Sequence, residues 1–137
     1  MRDLADIAGD IRDRLAGNFS TVRFSTAESS PQLLNELRAI SENRLPAIVI
    51  VIDSGSLSEN RLKESLKITL VLIDRFVAGS DDKALSVWRS LAKLRAAFPP
   101  VAVEINGVHY LPSQFYAASG DPKYACFALE LEAVQRV

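Results

Sequence analysis

The sequence predicts an α+β fold, one mostly antiparallel β-sheet with about three helices packed on one face. Three stretches predict it: LPAIVIVIDSGS reads as a strand apolar on both faces, RLKESLKITLVLIDRFV as a long strand, and ALSVWRSLAKLRAAF as a helix with a wide apolar stripe. With 137 residues, 48% hydrophobic and 24% charged, the chain fits one domain over residues 1–137 with a core of its own.

The elements follow in order. Leu4, Ile7, Ala8, Ile11 and Leu15 recur at spacings of three and four, so residues 3–16 form an amphipathic helix that Gly17 and Asn18 stop. Phe19 to Phe24 alternates weakly as a strand. Ser30 before Pro31 is an N-cap signal for a second helix with Leu33, Leu34, Leu37 and Ile40 on one side, ending near Ser41.

Residues 46–53 are apolar on both alternating faces, as in a strand covered above and below. Asp53-Ser54-Gly55-Ser56 then reads as a polar β-turn. Over residues 61–76 one face is apolar throughout, while the other runs from Lys63, Ser65, Lys67 and Thr69 to Val71 and Ile73. Fully extended, this run of about 50 Å exceeds the width of a domain of this size, so it bends or projects as an arm.

Ala78 to Asp82 forms a capped turn. Ala84, Leu85, Val87, Trp88, Leu91, Leu94 and Phe98 mark the core face of a helix that Pro99 and Pro100 end. Asn106-Gly107 links two short strands as a type I′ hairpin. Tyr124 to Val134 closes the sheet, with Ala125, Phe127, Leu129, Leu131 and Ala133 on one face. Three helices cover one side of such a sheet, and a neighbouring copy is the expected cover for the other.

Composition bounds the function. Sixteen basic against seventeen acidic residues leave a net charge of -1, without the basic footprint of a protein that binds duplex nucleic acid over its whole surface. No sequence-specific nucleic-acid binding is therefore expected. The single cysteine, Cys126, forms no intramolecular disulfide and reads as a packing residue in a reducing compartment or a disulfide-independent particle. Charges interrupt MRDLADIAGDIRDRL, so no signal peptide is read there. The longest apolar run, Ala47 to Ile52, is far below the roughly 20 residues of a membrane helix. A soluble protein made in a cytoplasm, with no membrane partner, is the expectation.

Chemical motifs are sparse. Ser54 and Ser56 lie outside any Gly-x-Ser-x-Gly elbow, and His109, the single histidine, falls in a short hairpin strand. One histidine and one cysteine leave only carboxylates such as Asp53, Asp74, Asp81 and Asp82 for a metal, and Asp81-Asp82 reads first as a helix cap. No phosphate-cradling glycine loop occurs. No catalytic set, metal or cofactor is expected. Arg61, Lys63 and Lys67 read as a wet strand face that discourages edge pairing, and Phe115 with Tyr116 as aromatics beside a contact loop.

In the order of its elements the chain resembles the tail-terminator or minor tail proteins of long-tailed bacteriophages, including the Mu-like family found in prophages. The helix DLADIAGDIRDRL, the strand LPAIVIVIDSG, the long strand LKITLVLIDRFV, the helix ALSVWRSLAKLRAAF and the closing hairpin and strand carry the resemblance. It implies a non-enzymatic structural protein of the virion tail that assembles into a ring, commonly a hexamer, ends the tail tube and helps join tail to head. Tube and head-connector proteins are the implied partners. On that reading Lys63, Lys67 and Arg75 supply polar contacts between copies, Val71 and Ile73 apolar burial, and Phe115 with Tyr116 a loop contact. Two other readings compete: a small cytoplasmic ligand-binding or dimeric interaction module, and an enzyme holding a divalent cation with Asp53 and Asp74.

Overall fold

The computed structural model describes residues 1–25, 44–75, 81–118 and 124–137. Helix α1 spans Leu4–Leu15. Asp3 caps it: its Oδ1 accepts from the Asp6 amide at 2.7 Å, and Asp6 Oδ2 accepts from the Asp3 amide at 3.3 Å. The four-residue strand β1, Thr21–Phe24, follows. Strands β2 (Ala47–Leu57) and β3 (Lys63–Arg75) come next, then α2 (Asp81–Ala97), and β4 (Val103–Ile105), β5 (Val108–Ala118) and β6 (Tyr124–Arg136) complete the chain.

The strands form one six-stranded sheet in the order β1-β2-β3-β6-β5-β4. The pair β1 and β2 is parallel, from Thr21↔Ala47 to Phe24↔Ile50, and the other pairs are antiparallel. Asn106 and Gly107, with φ of 51° and 84°, make the expected β4–β5 turn.

The expected α+β fold, a mostly antiparallel sheet with about three helices on one face, is corrected. Strands dominate, the sheet is mixed and curled, and the described residues carry two helices. The helix expected over Ser30 to Ser41 lies outside the described residues, as do Ala78 to Ser80 and positions 119–123. Segments that look like loops by composition are extended instead. Asp53 to Ser56 continue β2 and pair with Leu66, Lys67 and Ser65 of β3 across a bulge, so the hairpin turn lies at Ser58 to Leu62. Ser113 to Ala117 likewise lie in β5.

The same register settles the length of β3. All 13 of its residues pair with β6, so it runs inside a ladder rather than as a free arm. Irregularities lie between Ile52 and Ser54 of β2 and between Pro112 and Gln114 of β5. Ile52 pairs with Ile68, Ile68 with Leu131 and Leu131 with Pro112, so both bulges fall at one level, where they curl the sheet from either side.

Ile7, Ile11 and Leu15 of α1 and Leu91 and Leu94 of α2 share one buried cluster with Ile48, Ile50, Leu70, Leu72, Leu129 and Leu131 of the sheet. Each such side chain contributes about 1.5–3 kcal/mol on full burial. The opposite face has its own buried cluster of Ala47, Val49, Val71, Ile73 and Cys126. This end of the second face is therefore dry within a single chain, and no sibling molecule is needed to cover it.

Candidate interaction surface

Along β3 and β6 the second face of the sheet changes character in three steps. Its far end pairs Lys63 with Arg136, its middle pairs Lys67 with Glu132 and Thr69 with Glu130, and its dry end pairs Val71 with Ala128 and Ile73 with Cys126. The middle carries a polar lock across four strands. Glu130 of β6 accepts from Gln114 Nε2 at 2.5 Å and from Tyr116 Oη at 3.2 Å, and Lys67 Nζ lies 3.7 Å away. Beside it Thr69 donates to Asp53 Oδ2.

Glu130 is 8% exposed. The Gln114 bond, with smaller help from Lys67 and Tyr116, outweighs burial and holds its carboxyl below the ordinary value. Burial and the neighbouring Glu130 charge raise the Tyr116 phenol. The pair is thus an ionised acceptor and a neutral donor, suited to fixing four strands in place. Asp53 faces this lock, whereas Asp74 lies on the helix side and accepts from Ser90 Oγ at 3.2 Å. Two carboxylates on opposite faces of a sheet do not share one cation. Among the described residues no three His, Cys, Asp or Glu side chains gather as a metal site.

Large apolar side chains are exposed at separate places around the sheet. Beyond β4, the stretch Ser113 to Ala117 is exposed along its length, with Phe115 at 45% and Tyr116 at 42%. The Arg95 guanidinium of α2 lies 4.2 Å over the Phe115 ring. Between α2 and β5 runs a groove of about 680 Å³ whose lining includes Ala92, Arg95, Pro99, Ser113, Gln114 and Phe115. Trp88, expected in the core, is 58% exposed on α2, and Leu85 is 44% exposed. Ser90 takes an inward place through its bond to Asp74, and the buried arc is narrower than the apolar stripe. At the far end the β2–β3 hairpin exposes Leu57 and Leu62 at 53% and 61%, and at the β1 edge Phe24 is 46% exposed.

The residues expected at the interface are scattered. Lys67 and Tyr116 meet at Glu130. Phe115 sits on the opposite face of the same strand, and Lys63 is exposed at the far end. Val71 and Ile73, at 5% and 1% exposure, are already buried in the single chain, so they offer no free surface to another copy. Arg75 pairs through its backbone with Tyr124, and its side chain lies outside the described residues. Sequence reasoning missed Glu130, Arg95, Trp88 and Leu57. The ALSVWRSL stripe, too wide for one buried arc, is the signal that points to Trp88.

No protein-family model matches the chain, and no curated protein matches it. No helix of the described residues is long and apolar enough to cross a membrane.

Proposed function

We propose that the chain is a structural subunit of a long-tailed phage or prophage tail, assembling head to tail into a ring that ends the tail tube and contributes to head-tail joining. One observation carries this reading: large apolar side chains are exposed at separate places around a single sheet, Phe115 on the β5 flank and Leu57 and Leu62 at the β2–β3 hairpin. Two different exposed places on one chain suit a heterologous contact, which generates a ring when the rotation closes.

The resemblance to tail-terminator proteins in element order gives that geometry its biological setting. A net charge of -1 lets copies approach without strong self-repulsion. Tube and head-connector proteins are the partners this role requires, and catalysis plays no part in it. The test is molar mass by multi-angle light scattering across concentration. The expected result is a defined multiple of 15.0 kDa that persists on dilution or forms on addition of tail-tube protein. A single-chain mass under both conditions would reject the reading.

A further inference from the structure

The turn between β4 and β5 holds the one asparagine of the sequence that precedes a glycine, Asn106 before Gly107; Asn18, Asn35, Asn43 and Asn60 precede Phe, Glu, Arg and Arg. A glycine has no side chain to shield its amide from the carbonyl of the asparagine before it. We infer that Asn106 is a site of spontaneous deamidation, and that the reaction unhooks the β4–β5 turn from α1. This stands independently of the ring reading.

Both turn residues are exposed, and no neighbouring atom lies within 4 Å of where a Gly107 side chain would stand. Strand β4 has three residues and lies at the edge of the sheet, paired with β5. So short an edge pairing opens locally at less cost than global unfolding. In the opened turn the Gly107 nitrogen attacks Asn106 Cγ and loses its proton: the N–Cγ bond forms, the Cγ–Nδ2 bond breaks, and Nδ2 leaves as ammonia. Water then opens the cyclic imide at either carbonyl, which leaves aspartate or isoaspartate at position 106.

The nitrogen that leaves is the one that ties the turn to the helix. Asn106 Nδ2 donates to Asp10 Oδ1 at 3.0 Å, and Asp10 takes its other two bonds from Arg2, Nη2 at 2.7 Å and Nε at 3.0 Å. Neither product has a side-chain N–H to give Asp10. Isoaspartate also adds a methylene to the backbone of a two-residue turn whose φ angles of 51° and 84° suit Asn-Gly. The cavity beside the turn is lined by Arg2, Lys63, His109 and Arg136 as well as Asp6. Asp10 alone among the charged groups is hydrogen-bonded to the Asn106 side chain, so the new carboxylate is set against Asp10 first.

Peptide mapping by mass spectrometry tests the site: the folded full chain is held in warm, mildly alkaline buffer until a guanidinium-denatured sample has converted at position 106. Paired aspartate and isoaspartate products at 106 in the folded chain are expected, with far less conversion at Asn18 and Asn60. Conversion confined to the denatured chain would overturn the site. Asn106→Asp tests the unhooking, with circular dichroism to compare its fold with the wild type. Its urea midpoint should fall below that of the wild type. A midpoint equal to or above the wild type would mean that the cations of the cavity replace the lost bond, and would overturn the unhooking.

Discussion

Arg95 of α2 covers the ring of Phe115 in β5 at 4.2 Å, so the exposed flank of the sheet is fixed to the helix by a cation–π contact. Exposed contacts of this kind contribute about 0.5–1 kcal/mol. Phe115→Ala should therefore cost little in denaturant midpoint yet reduce association much more, since it removes the exposed aromatic of the β5 flank. Equal losses in both measurements would assign Phe115 to the monomer's own stability.

Ile73 gives the opposite expectation. It is 1% exposed within one chain, beside Val71 and Cys126. Ile73→Glu places an unpaired carboxylate in that cluster and should destabilise the monomer by several kcal/mol, because burying an uncompensated charge is expensive. Urea unfolding measures this. A soluble variant of near-native stability would mean that the face opens easily to water.

Glu130 links stability to acid. Its carboxyl lies below the ordinary value in the folded chain, so near the carboxylate range the unfolded chain binds more protons. The contribution is complete above the unfolded value, about 4.3, and is lost as pH falls through the folded one. Glu130→Gln should flatten the fall in stability on acidification. An unchanged pH profile would show that the lock does not couple to folding.

Tyr110 is buried at 0% exposure, and its hydroxyl has no hydrogen-bond partner among the described residues. Burial, reinforced by Asp10, pushes its phenol up to about 12. A hydroxyl left unpaired costs about 1–3 kcal/mol, so Tyr110→Phe should hold or raise the urea midpoint. A phenol raised on folding also removes stability as pH climbs above its ordinary value of about 10, and the variant should lose less there. A lower midpoint in Tyr110→Phe would give the hydroxyl a partner.

Local periodicity made much of the sheet legible. The two-sided apolar run of β2, the alternation of β3 and β6, the stripe of α1 and the Asn106-Gly107 turn follow from spacing and backbone preference alone. Asp53 to Ser56 did not, because their composition is that of a turn and only the ladder with Ser65 to Lys67 keeps them extended. Trp88 misled for a related reason: helical spacing places it on the stripe, but how much of the stripe is buried depends on the surface beneath. Lys67 and Tyr116 were legible as surface groups. Their meeting at Glu130 was not, since it depends on a register across β3, β6 and β5 that no short stretch encodes.

Negative-stain electron microscopy of the assembled wild-type protein tests most directly whether two different exposed places on one chain join copy to copy. Closed rings of a single copy number, with rotational symmetry about one axis, are the predicted result. Two-fold dimers joined through the same place on each chain, or particles no larger than one chain, would contradict it.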